Sequence, residues 1–288
     1  MDDGKKVVHY YHANADAFGG RLEQPFEQVL PILAPSSLPV VGGYGSARHE
    51  NFRVGELISI DRAYTQVAGN INYPNGNFLT LVTAVIEGLN VDNILFADRI
   101  AVQISTDHPP IGYFPRVSFI GTEFRGLRIG GCELEPVLKL DLCHDGDPRQ
   151  YPDRSCLYNE NLIQFAQRQS EGIAGIAGDQ ATHGGPFFER LLGQHSNGGP
   201  NASNIIKERG NIICSIVEAI EVKGKCPGAI IAGHVIEIPG FGRIYLGELI
   251  VDQGSFDLTM LRLDLGCPTS GKVAGPHGGA NGSNSGGN

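Results

Sequence analysis

Apolar and polar residues alternate along much of this chain with the period of two that marks a half-buried β-strand. The segment "RIAVQIS" (99–105) sets Ile100, Val102 and Ile104 on one side and Arg99, Gln103 and Ser105 on the other. In "CELEPVLKLDLC" (132–143), Leu134, Leu138, Leu140 and Leu142 oppose Glu133, Glu135, Lys139 and Asp141. Pro136 cannot donate to a ladder, so this strand is expected at an edge or broken. The run "FLTLVTAVIEGLNV" (78–91) is apolar on both faces and belongs at the centre of a packed layer. Asn75-Gly76 stands just before it and signals a tight hairpin from the preceding strand. Further strands are read at "FRVGELISI", "NIICSIVEAIEV", "AGHVIEI", "GRIYLGELIV" and "LTMLRLDLG".

Helical spacing is confined to 144–210. There Leu162, Phe165 and Ala166 form a short stripe with Asn159 or Asn161 available as a cap, and "GPFFERLLG" pairs Phe187 with Leu191 and Phe188 with Leu192. The expected fold is therefore mainly β, in antiparallel layers of sandwich or barrel type, with a small polar, helical insertion. The expected organisation is a β-rich region at 1–143, the insertion at 144–210, a second β-rich region at 211–268 that packs with the first, and a disordered Gly/Ser/Asn tail at 269–288. An internal echo, "TAVIEGLNV" (83–91) against "CSIVEAIEV" (214–222), raises a duplication of the two β-rich parts.

Composition narrows the function. Of 288 residues, 22 are Lys or Arg and 31 Asp or Glu, a net charge of −9, which disfavours a nucleic-acid backbone as partner. No apolar run approaches the roughly 20 residues of a spanning helix, and the N-terminus lacks the apolar core of a secretory signal. Forty glycines and seventeen prolines fit a turn-rich β protein, and the absence of tryptophan removes the strongest stacking platform for a sugar. The segments "HANADAFG", "PILAPSSLPVVGG", "AVIEGLNVDNILFADRIAVQIST" and "EFRGLRIGG" resemble the uncharacterised bacterial β-domains of the choice-of-anchor kind, over residues 8–142. That resemblance implies a β fold and an extracellular or cell-surface setting, and it brings no catalytic residues.

The signatures GxSxG, HExxH, Walker A and GxGxxG are all absent from the sequence. Three constellations are left. His12, Asn14 and Asp16 share one face of an extended segment, about 6.5–7 Å apart at each step, and could hold a ligand or simply be the wet side of a strand. Asp145, Asp147 and Asp153, with His144, place oxygen ligands in a loop that suits a hard cation, making calcium the one cofactor to consider. His183 and His195 with Glu189 could serve acid–base chemistry in the insertion. His234 is expected to be a core histidine, sharing its side of a strand with Ile236 and Ile238. Six cysteines form no CxxC pair; if the protein is exported, local bridges Cys132–Cys143 and Cys214–Cys226 would each close one strand unit. The reading that follows is a non-enzymatic structural or interaction protein that binds a protein partner or itself, with a hydrolase or small-ligand binder using the insertion as the alternative.

Overall fold

The structure, a computed structural model, describes residues 8–72, 76–110, 113–143, 150–179, 210–226, 228–266 and 269–284. Strands β1 (His9–Asp16), β2 (Phe18–Gln24), β3 (Gln28–Leu33) and β4 (Ser36–Ser37) precede four long strands. These are β5 (Gly43–Val54), β6 (Ile58–Asn72), β7 (Asn77–Val91) and β8 (Leu95–His108). Then come β9 (Arg116–Ser118), β10 (Glu123–Arg125), β11 (Leu127–Ile129), β12 (Cys132–Leu138) and the helix α1 (Glu160–Asp179). The remainder is β13 (Ile212–Ser215), β14 (Val217–Lys223), β15 (Ile230–Ala232), β16 (Val235–Ile238), β17 (Gly242–Val251), β18 (Ser255–Leu265), β19 (Ser270–Ala274) and β20 (His277–Asn284).

The strands form two antiparallel sheets that face each other as a sandwich. The second sheet runs β14-β12-β11-β8-β7-β6-β5, so the doubly apolar β7 is flanked on both sides, as its composition requires. Ile100, Val102 and Ile104 are fully buried, whereas Arg99, Gln103 and Ser105 lie outward. The β6–β7 hairpin closes at Asn72↔Asn77; Asn75 of its expected turn lies outside the described residues.

The first sheet runs β15-β16-β17-β18-β19-β2-β3, with β20 beside β18, β1 beside β20, and β4 beside β1. Its long strands change partners halfway. One half of β18 pairs with β20 and the other with β19, with Gly275 and Pro276 between those two strands; the β17–β18 ladder skips Gly247, and the chain bends at Ala17 between β1 and β2. The backbone stays satisfied through the bend, by Met260 N–H to Pro276 O at 3.0 Å and Ala17 N–H to Leu33 O at 2.9 Å.

Residues 270–284 are therefore not a disordered tail, as composition suggested, but two strands inside the first sheet. Their small residues are what the position demands. A Cβ on Gly278 would lie 2.8 Å from Val82 Cγ1 of the facing sheet, so β20 can approach β7 and β8 only without a side chain there. Two further expectations change. The Pro136 segment is not an edge, since Pro136 pairs with Ile220 and β14 is the outer strand, but it is broken as the alternative expected: the ladder shifts register between Val137 and Leu138, where β12 ends. The echo is local likeness, because 83–91 lies within the single strand β7 whereas 214–222 leaves the first sheet and joins the second at Ile216.

Helix α1 guards that crossing. Asn159 caps it through Leu162 N–H to Asn159 Oδ1 at 2.9 Å, and Leu162 and Phe165 are buried. Gln169 Nε2 donates to the carbonyls of Ser215 and Val217, and its Oε1 accepts from Ser215 N–H, which satisfies the backbone on both sides of the switch.

The cysteine pairing also differs. Cys132 is bonded to Cys226 with Cα atoms 5.5 Å apart, across 94 residues of sequence. The β12–β14 ladder sets Glu133 opposite Lys223 and so brings those two cysteines together. Cys143 lies beyond the far end of β12, out of reach of Cys132. Cys214 is buried without a disulfide, its thiol pushed up by burial and by neighbouring Cys156.

Candidate functional site

Strand β1 alternates as its sequence dictates. Tyr11, Ala13 and Ala15 are buried against the second sheet, and Tyr10, His12, Asn14 and Asp16 point outward. The ladder to β20 sets Asp16 opposite His277, Asn14 opposite Gly279 and His12 opposite Asn281. The ladder from β20 to β18 adds Thr259 opposite His277, Asp257 opposite Gly279 and Ser255 opposite Asn281. One strand from the start of the chain and two from near its end thus lay out a polar lattice with Tyr10, 48% exposed, at its margin.

Gly279 is the floor of the lattice. The position a Cβ would take there is 2.5 Å from Asp257 Oδ1 and 2.7 Å from Asn14 Oδ1, so the two oxygens overhang the bare backbone from either side. His277 Nδ1 is 3.1 Å from Thr259 Oγ1, and its Nε2 is 3.9 Å from Asp257 Oδ1. Partial burial pushes the carboxyls of Asp16 and Asp257 up. The imidazole of His277 opposes this at both, and that of His12 also at Asp257. Among the described residues, the side chains of His12, Asn14, Asp16 and Asn281 have no hydrogen-bond partner.

Thr259, His277 and Asp257 follow one another in the order of a nucleophile, base and carboxylate. Acyl transfer also needs N–H donors aimed at an oxyanion. Here the strand N–H groups lie in the plane of the sheet and are engaged in the β1–β20 and β20–β18 ladders. What the face offers is hydrogen bonding from several side chains at strand spacing, which is the equipment of a binding surface.

The other expected constellations fall almost wholly outside the described residues. Asp145 and Asp147, like His144, lie outside the described residues, as do His183, Glu189 and His195. Asp153 is exposed, and the described residues hold no group of three His, Cys, Asp or Glu side chains placed to hold a metal. His234 is a buried histidine in the turn before β16, its pKa lowered to about 3 by burial and by the charge of Arg262. His277, Asn281, Asp257 and Thr259 were not singled out by sequence reasoning. The signal was present in "HGGANGSN", where His277, Gly279, Asn281 and Ser283 alternate with Gly278, Ala280 and Gly282, but small residues erase the apolar half of the pattern.

A family model described as Domain of unknown function (DUF8256) matches residues 9–252, which takes in β1 and the start of β17 through its end but stops short of β18 and β20. No curated protein and no solved structure matches the chain. Among the described residues no helix is long and apolar enough to cross a membrane.

Proposed function

The chain belongs to the DUF8256 family, and from that premise we propose a non-enzymatic interaction protein whose β1–β20–β18 face recognises a polyhydroxylated ligand, a carbohydrate chain. The observation that carries this reading is the lattice itself. Asn14 and Asp257 overhang Gly279, and His12, Asp16, His277 and Asn281 surround them. A protein-binding hot spot is built on buried apolar anchors, and among the described residues the large apolar side chains exposed around this lattice, Tyr10, Val8 and Ile250 opposite Asp257, stand at its margins. Paired donors and acceptors at strand spacing suit vicinal hydroxyls, and the ring of Tyr10 supplies the stacking surface that tryptophan would otherwise give. The Cys132–Cys226 bond and the resemblance over residues 8–142 both support an oxidising, cell-surface setting.

Affinity electrophoresis in gels containing neutral polysaccharides tests the proposal, followed by calorimetry with oligosaccharides of any that retard the protein. Retardation should fall at least tenfold in Asn14→Ala and Asp257→Ala, about 1.4 kcal/mol, and in Tyr10→Ala. Retardation indifferent to all three variants, or none with any polysaccharide, removes the reading.

A second reading, self-association, is favoured by the outer strands β3 and β5. Val29 and Ile32 on β3 are 73% and 62% exposed, and Tyr44 on β5 is 62% exposed. Open strand edges with apolar flanks invite pairing with another copy. Sedimentation should show an oligomer that Val29→Lys with Ile32→Lys disperses; a monomer at all concentrations overturns it.

A further inference from the structure

At the end of the sandwich where β1 begins and β20 finishes, the layer between the sheets is polar. His9 stacks on Phe78 with ring centroids 4.6 Å apart, lies 4.7 Å from the ring of His108, and meets Tyr11 edge-on at 4.5 Å. Both histidines are 5% exposed. His9 Nδ1–H donates to Asn284 Oδ1 at 2.6 Å, and Asn284 Nδ2 donates to Pro109 O at 3.0 Å. One amide thus ties the last residue of β20 to the first of β1 and to the chain after β8, and it fixes the His9 tautomer with a bare Nε2.

That Nε2 and the Nε2 of His108 converge. A Cβ on Gly282 would lie 2.6 Å from the first and 3.2 Å from the second. Neither nitrogen has a hydrogen-bond partner, and neither do the nearby buried Tyr11 OH, Thr80 Oγ1 and Thr106 Oγ1. Among the described residues, the groups of this layer are uncharged when both imidazoles are neutral.

We propose that His9 and His108 form a proton-operated latch, closed when both imidazoles are neutral and released by acid, which frees the ends of β1 and β20 from the second sheet. A proton on either Nε2 would be buried beside the other imidazole without an acceptor. Among the described residues, the groups facing the pair are Tyr11 from β1, Gly282 and Asn284 from β20, Phe78 and Thr80 from β7, Thr106 from β8, and the Pro109 carbonyl, and none of these is a carboxylate. Asp107 precedes His108 in β8. It lies on the opposite face of the second sheet, where Arg116 and the Tyr151 hydroxyl donate to it. Consistent with this setting, burial and the charge of His9 lower the His108 pKa to about 3, and burial lowers that of His9.

The sign follows from linkage. Both folded values lie below the ordinary 6.5, so the open state takes up protons that the closed state refuses, and closure weakens as pH falls below that value. Between pH 7.5 and 5.0, His108 alone should raise the opening constant about thirtyfold.

Hydrogen exchange of the full chain, corrected for intrinsic rates, tests this at the two pH values. Segments 8–16 and 277–284 should gain at least thirtyfold in opening at pH 5.0, with β5 and the middle of β7 gaining much less. His108→Gln should lose that gain, and His234→Gln, which removes the other buried histidine far from this end, should keep it. Should His108→Gln not fold, the wild-type pattern decides together with the His108 imidazole signals, which should remain those of the neutral ring at pH 5.0. Uniform acceleration over both sheets, an undiminished gain in His108→Gln, or a protonated His108 in the closed protein at pH 5.0 would overturn the latch.

Discussion

The outer face of the second sheet and the β1–β20 part of the first use their polar side chains in opposite ways; farther along β18, Arg262 pairs with Glu248 at 2.7 Å and Asp264 at 3.0 Å, as the arginines of the second sheet do. On the second sheet, Arg99 donates from Nε to Glu123 at 2.6 Å and from Nη1 to Glu87 at 2.7 Å and to the Tyr64 hydroxyl at 2.8 Å. Arg62 completes Glu87, Arg125 completes Glu123, and Arg128 meets Asp98 at 2.9 Å. Most of these charges are compensated within the face; among the described residues Asp61, beside Gly88, is an exception. On the first sheet, Asp16 and Asp257 share two imidazoles at longer range, and Asn14, His12 and Asn281 bond to nothing among the described residues. A face that has satisfied itself is scaffold; one that holds hydrogen-bonding groups in place without satisfying them is arranged for something else.

The difference can be broken at its root by removing 269–288. This deletes β19 and β20, strips the ladders from β1, β2 and β18, and uncovers Val82 and Val102. Loss of the cooperative thermal transition is expected, read by circular dichroism; a truncated protein that melts like the full chain would place the tail outside the fold.

Two adjacent glycines separate the inner face from the outer. Gly278→Val puts methyl groups where Val82 Cγ1 stands and should cost about 1–3 kcal/mol or more in denaturant unfolding. In Gly279→Ala the nearest atoms to the new methyl belong to the Asp257 and Asn14 side chains, which can swing aside. It should melt near the wild type while losing carbohydrate retardation. Equal destabilisation by both would mean the outer lattice is structural.

Replacing Arg99 by Ala should destabilise by about 1–2 kcal/mol, because Glu87 and Glu123 lose their shared partner in a half-buried setting. On the first sheet the same logic runs backwards and gives the smallest effect. Burial raises the Asp257 carboxyl above its ordinary value, so its ionisation opposes folding, and that penalty grows as pH rises through the window between the two values. Asp257→Asn should therefore raise the melting temperature slightly at pH 7 and leave it unchanged near pH 3. A loss of stability at pH 7 would show that this carboxylate is paired as those of the second sheet are.

Much of this was legible in the chain because strand alternation and helix capping are local. The two faces of β1, the inward set Ile100, Val102 and Ile104, the central place of β7 and a helix cap at Asn159 or Asn161 all follow from the chemistry of a few neighbouring residues, and the structure selects Asn159. What could not be read depends on distances between segments far apart in sequence. Glycines and alanines at 278–282 look like a linker until Val82 and Val102 stand opposite them, because a strand that must lie very close to its neighbour gives up the side chains by which strands are recognised. Cys132 finds Cys226 and not Cys143 because an antiparallel ladder joins the start of one strand to the end of another. His12, Asn14 and Asp16 were visible as a row. Only the register of β20 and β18 supplied His277, Asn281 and Asp257 to make that row a surface.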